Sequence, residues 1–208
     1  MNSLEDEKIA VVLARLHREA EADPERWAQD KTTTSNDLVR MGDLYLGITA
    51  AEGKLLYLLA RCRQARRIVE FGASYGISTL YLAAAARDNH GSLMTTEVHP
   101  RKCAAIQATI HSTGLTDVVH LLAGDARETL GGIGGNVDFV FLDGWKSLYL
   151  PVLNILRPKL RYGALIMADN ITHSAAQAYC AAVRDPDSGF ISTTLGQQEL
   201  SYYDRKDV

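Results

Sequence analysis

From residue 67 onward, short apolar runs alternate with stretches of helical spacing, and no other feature restricts the fold as much. Runs at 67–71, 92–97, 118–123, 137–142 and 164–168 read as strands. Stretches 77–86, 101–112, 126–130, 148–156 and 174–183 follow them in turn and read as helices. A helix between consecutive strands brings the chain back to the sheet by a crossover, which makes the strands parallel and puts helices on both faces. The last two runs, 190–194 and 199–203, have no helix between them and read as an antiparallel hairpin closing the sheet. The expectation is an α/β, Rossmann-like doubly wound fold.

Upstream of this pattern, Ile9, Val12, Leu13, Leu16 and Ala20 recur at helical spacing, and a second helix is expected over 50–63. Residues 22–45 read as polar and irregular, with a loop at the Thr32-Thr33-Thr34-Ser35-Asn36 cluster that could serve as a lid. The 208 residues, 47% apolar and 23% charged, fit one globular domain. Within it, 1–64 form the N-terminal helices and a substrate lid, and 65–208 the ligand-binding core. The N-terminal helices offer either that lid or a homodimer surface. With 22 basic against 25 acidic side chains, the formal charge of −3 speaks against a nucleic-acid partner but not against a small ligand. Three scattered cysteines (Cys62, Cys103, Cys180) form no CxxC pair, which argues against a disulfide framework or a zinc site. The acidic start and a six-residue apolar run at 9–14 lead us to expect a soluble, cytoplasmic chain with no membrane partner.

The first strand leads into its helix through Glu70-Phe71-Gly72-Ala73-Ser74-Tyr75-Gly76-Ile77-Ser78. Gly72 and Gly76 permit a tight turn and a close backbone approach to a ligand, and the following helix start offers unpaired N–H groups. In doubly wound sheets the ligand sits at this carboxyl edge. The GxxxG spacing meets neither the dinucleotide fingerprint nor a phosphate loop. The glycine-rich 131–135 stretch follows a helix and reads as a plain turn. Glu97 ends the second strand, where a carboxylate can accept both ribose hydroxyls of an adenosine group. Asp125 ends the third, where it can cap the next helix or face an adenine. Such a set suits a ligand with hydroxyls, an amino group and a positive centre.

The ExGxxxGxS pattern, with an acidic second strand end, resembles the class I S-adenosylmethionine-dependent methyltransferases. Their cofactor carries a sulfonium and no phosphate, in keeping with acidic rather than basic residues here. The resemblance implies a seven-stranded, mostly parallel sheet of order 3-2-1-4-5-7-6.

Two further strand ends carry oxygen donors. Asp143 follows the fourth strand, and Asp169 and Asn170 follow the fifth. Hard oxygen ligands without His or Cys suit Mg²⁺ or another divalent cation that leaves positions for water or substrate. The stretches VDFVFLDGWKSLYLPVL and GALIMADNI resemble the catechol O-methyltransferase group, and the likeness spans roughly residues 40–172. It implies Asp143, Asp169 and Asn170 as metal ligands and Lys146 as the base that takes a phenolic proton. Asn170 would also touch substrate, and Trp145 would wall its slot. For the cofactor it implies Glu70 and Ser78 at the methionine end and Glu97 at the ribose. Ala126 and Arg127, with Asp125, would lie by the adenine. Ile48, Gly72, Ser74, Gly76 and Asp143 would line the same pocket. The expected activity is Mg²⁺-assisted O-methylation of a small catechol-like or ortho-dihydroxy aromatic. Alternatives are metal-independent methylation of a sugar or antibiotic hydroxyl, and a non-catalytic S-adenosylmethionine-binding module.

Three positions depart from the family pattern. Gly144 stands where the animal catechol enzymes carry His, and Ala126 replaces their adenine-side serine. Glu199 lies in the region of a glutamate that clamps the second catechol hydroxyl, but it starts a strand and reads as structural. These departures loosen the catechol preference. His173 reads as a cap of the following helix. Trp27 reads either as closing over substrate or as simply packing, and Met41 and Tyr45 are expected at the border of the substrate mouth.

Overall fold

A computed structural model describes residues 2–29 and 41–205, the side chains of 27–29 excepted. The 32–36 lid cluster and the Trp27 side chain lie outside the described residues. The strands are β1 (Arg67–Phe71), β2 (Ser92–Glu97), β3 (Val119–Ala123), β4 (Val137–Leu142), β5 (Leu160–Ala168), β6 (Phe190–Leu195) and β7 (Gln198–Tyr203). They form one sheet of order β3-β2-β1-β4-β5-β7-β6. β1 to β5 run parallel, and β7 pairs antiparallel with both β5 and β6, as the sequence led us to expect.

Side chains of a strand alternate between faces, so a strand covered on both sides must be apolar throughout. β4 does this from Phe139 on: Phe139 and Phe141 enter one core cluster and Val140 and Leu142 the other, while Asp138 stands at its amino end beside a register shift. The first cluster is covered by α1 (Glu7–Ala20), α3 (Ala50–Cys62), α4 (Ile77–Asp88) and α5 (Pro100–Ser112). The second is covered by α6 (Ala126–Thr129), α7 (Tyr149–Leu156) and α8 (Gln177–Arg184). Every residue of α4 from Ile77 to Ala86 is buried, because α4 lies between the sheet and the N-terminal helices. Gly53 of α3 makes that layer possible, since a β-carbon there would lie 2.2 Å from the Tyr81 ring.

Two expectations change. The 22–45 stretch is not wholly irregular: α2 (Asp23–Gln29) lies within it, opened by acidic residues and an early proline. The Asp23 carboxylate then accepts the N–H groups of Tyr45 and Leu46 and pairs with Arg26, which holds the returning chain. β5 also starts four residues earlier than its apolar run, at Leu160. Arg161, Tyr162 and the left-handed Gly163 (φ +79°) mask its strand pattern in the sequence.

The register sets the site. Phe71 lies opposite Thr96 and Leu142, and Leu142 lies opposite Ala168, so these strands end at one level. Gly72, Asp143 and Asp169 therefore leave the sheet side by side, with Glu97 at the end of β2. Among the described residues no helix is long and apolar enough to cross a membrane.

Candidate active site

The turn after β1 is built on three left-handed residues, Gly72 (φ +95°), Ser74 (φ +49°) and Gly76 (φ +93°). A β-carbon on Gly72 would lie 2.6 Å from the backbone of Gly144, and one on Gly144 would lie 2.5 Å from the Phe71 ring. The β1 and β4 turns thus press directly together, and this contact accounts for the glycine at 144. Glu97 fastens the same turn: Oε2 accepts the Ser74 N–H at 2.8 Å, and Oε1 accepts the N–H groups of Val98 and His99. The Ser74 hydroxyl donates to the Tyr45 carbonyl and accepts from Lys102 Nζ at 2.9 Å. Ile48, in the same N-terminal segment, is buried.

Beneath the turn, Glu70 is fully buried and accepts the hydroxyls of Thr79 and Thr95 on Oε2, while Oε1 has no partner. Burial pushes its carboxyl above the usual range, and hydroxyls from Ser78, Thr79 and Thr95 oppose this. An unpartnered buried acceptor is costly unless a donor arrives. Glu70 therefore fits the methionine end of a sulfonium cofactor, whose ammonium group is such a donor. Asp125 caps α6 through the Arg127 N–H and pairs with the exposed Arg127 guanidinium, and Ala126 is buried behind it.

At the neighbouring strand ends, Lys146 Nζ lies 2.9 Å from Asp143 Oδ1 and 5.2 Å from the centre of the Tyr149 ring. Burial pushes the Asp143 carboxyl up to about 7; Lys146 pulls it down and Asp169 pushes it further up. Burial also raises Asp169, whose Oδ1 is buried without a partner, while the Asn170 N–H and Lys146 lower it. Tyr149 braces this corner by donating its hydroxyl to the Asp169 carbonyl at 3.0 Å. Asn170 adopts a left-handed backbone (φ +51°), and Trp145 stands exposed at the rim.

Among the described residues, no three His, Cys, Asp or Glu side chains gather as a metal-binding group. The expected donor set is two carboxylates and an amide. Two carboxylates that burial pushes above their usual range, Asp143 further so by Asp169 and Asp169 by Glu52, one with an orphaned oxygen, fit a small hard cation that draws its other ligands from water or substrate. Glu199 is settled differently: it is fully buried and takes both oxygens to Arg184 at 2.7 Å, so it is a structural ion pair. His173 caps the next turn by accepting the Ala175 N–H.

Sequence reading missed Lys102, Thr79, Thr95 and Glu52. Lys102 is buried, and burial lowers its pKa. Glu52 lies close enough to Asp169 to raise its pKa, while its own carboxylate completes the capping box with Thr49. The capping-box spacing T-x-x-E was visible in the sequence; nothing local marked the other three.

A sheet of this order, with a glycine turn beside the β1–β4 switch point and acids at the strand ends, defines a class I methyltransferase fold. Comparison with known proteins agrees. The family described as "Methyltransferase domain" matches residues 69–171. A catechol O-methyltransferase of Niastella koreensis is 34% identical over 141 residues, 66% of this chain and 63% of that protein. The chain thus matches less than two thirds of that relative's length. The cofactor-bound structure of Rv0187 from MTB superposes with a TM-score of 0.72 at 26% identity, covering 88% of this chain and 98% of that one. TomG, an O-methyltransferase from Streptomyces achromogenes solved in complex with SAM, gives 0.65 at 25% identity over 91% and 99%. The chain is thus similar to class I O-methyltransferases of the catechol O-methyltransferase-like kind.

Proposed function

We propose that this protein transfers a methyl group from S-adenosylmethionine to a hydroxyl of a small catechol-like or ortho-dihydroxy aromatic, assisted by Mg²⁺. The observation that carries the reading is the meeting of Asp143, Lys146 and Asp169 next to the glycine turn. The donor would lie along that turn, with Glu70 and Ser78 toward its methionine end and Glu97 toward its ribose. Ile48, Gly72, Ser74, Gly76 and Asp143 would line its pocket, with Asp125, Ala126 and Arg127 by its adenine. S-adenosylmethionine supplies an electrophilic methyl carbon, whose transfer forms an O–C bond as the S–C bond breaks. Asp143, Asp169 and Asn170 would hold the cation, which supplies positive charge that acidifies a coordinated hydroxyl. Lys146, entering as the free amine, would take the phenolic proton at Nζ and become the ammonium; Asp143 holds it within reach. Asn170 orients the second hydroxyl, and Trp145 walls the acceptor slot at the rim.

A panel of catechols assayed with Mg²⁺ and with EDTA tests this. Turnover that EDTA abolishes, and that Asp143→Ala and Asp169→Ala remove, supports it. No transfer to any panel member under either condition would overturn it. The existing Asp143–Lys146 ion pair favours a second reading, metal-independent methylation of another small metabolite's hydroxyl, in which the acids hold the acceptor. EDTA-resistant turnover would select that reading.

A further inference from the structure

A hollow lies at the opposite edge of the sheet, among Arg61, Arg63, Arg66, Arg161, Asp88 and Asn89, with a volume of about 550 Å³. Arg66 precedes β1 and Arg161 is the second residue of β5, so this is the amino end of the strands. A five-residue strand separates it from the candidate active site by roughly 17 Å.

Buried groups anchor these arginines, while Arg66 and Arg161 themselves are exposed to solvent. The Arg66 N–H donates to the buried Asp138 carboxylate at 2.9 Å, and its carbonyl accepts the Ser92 N–H at 2.7 Å. Gly91 presses on the same carbonyl, since a β-carbon there would lie 2.1 Å from it. The backbone is clamped, yet among the described residues the Arg66 guanidinium has no partner. Buried Asn89 donates to the carbonyls of Ala60 and Ala65, which leaves its oxygen to orient Arg61. Asp138 Oδ1 lies 3.1 Å from Arg161 and 3.7 Å from Arg63. Four guanidinium groups thus meet two carboxylates, and Asp88 already accepts from Ser3 and Tyr57. This local positive surplus stands out in a chain of net charge −3.

We propose that this cleft binds a compact polyphosphate of the pyrophosphate type. A guanidinium fork matches phosphate oxygens two at a time and keeps its charge at every physiological pH. Several forks set apart around one hollow need more than one anionic centre. No apolar or aromatic side chain lines the hollow, so the ligand has no ring or hydrocarbon body to bury. The volume falls within the ordinary range for small-molecule sites. The site is independent of methyl transfer.

Calorimetric titration of the full chain with sodium pyrophosphate, without divalent cations and at fixed ionic strength, tests this. The expected result is saturable binding at one site. Arg66→Ala, whose side chain supports nothing else, should weaken it at least fivefold, and Arg66→Ala with Arg161→Ala at least tenfold. Orthophosphate should bind at least tenfold more weakly than pyrophosphate. Absence of saturable binding overturns the proposal, as does affinity unchanged in both variants. Citrate binding as tightly as pyrophosphate overturns the polyphosphate assignment.

Discussion

Gly144 has no room for a side chain, because Phe71 occupies the space a β-carbon would need. Its type is thus dictated by the contact between two turns, which no local pattern announces. Gly144→Ala should cost about 1–3 kcal/mol in urea denaturation, as other overpacking changes do; an unchanged midpoint would contradict that contact. Lys146 is a catalytic residue in the proposed reaction. Lys146→Ala should lower kcat about 10²–10⁴-fold while leaving the dissociation constant for S-adenosylhomocysteine within twofold. Lys146→Arg should not restore turnover, since a guanidinium does not give up its proton. A binding module would be indifferent to both changes. Glu199 is legible only in part. Its strand position suggested a structural role, but its partner Arg184 lies on a helix. Arg184 holds the Glu199 carboxyl below its usual value of 4.5. A depressed carboxyl stabilises the fold above the unfolded pKa, and that contribution is lost as pH falls through the folded value. The wild type should therefore exceed Glu199→Gln by about 1–3 kcal/mol near pH 7, and the gap should narrow below about pH 4.5. A gap that widens on acidification would contradict the pairing.

The strands were the most legible elements, and β1, β2 and β4 lie where their apolar runs are. β5 was clipped because its first residues, Arg161 and Tyr162, are exposed and Gly163 interrupts the alternation, yet Leu160 still pairs with Val137. The short α2 was missed because seven residues carry too little periodicity, and acidic caps read as loop. Helix packing adds a constraint that propensity does not hold. Gly53→Ala improves intrinsic helix propensity by about 1 kcal/mol. Here it drives a methyl into the Tyr81 ring, so the net change should be a loss of about 1–3 kcal/mol in chemical denaturation. A gain would mean that α3 and α4 can move apart at little cost.

The molecule has two poles. At the carboxyl edge of the sheet, acids and two lysines, Lys102 and Lys146, surround the glycine turn; at the amino edge, arginines surround Asp138. Asp138 is buried and ties the first N–H groups of β1 to β4 while pairing with arginines before β1 and in β5. Asp138→Ala should cost about 3–5 kcal/mol, since it leaves those groups without their buried partner. Hydrogen exchange should quicken first at the amino ends of β1, β4 and β5. If exchange instead quickens first in the β6–β7 hairpin, Asp138 does not bear on the centre of the sheet.

The alternation of strands and helices determined the fold class, because parallel strands need crossovers and crossovers need helices. Motif resemblance then pointed to the carboxyl edge and to Glu70, Glu97, Asp143 and Asp169. What tertiary structure alone decided depends on distances between residues far apart in the chain. It decided the burial of Glu70 with one oxygen unpaired and the closure of Glu97 onto the turn. It also decided the pairing of Lys146 with Asp143, the removal of Glu199 to Arg184, and the gathering of four arginines at the far edge. Periodicity reports which face of an element is apolar; it carries no record of which side chains meet when those faces pack.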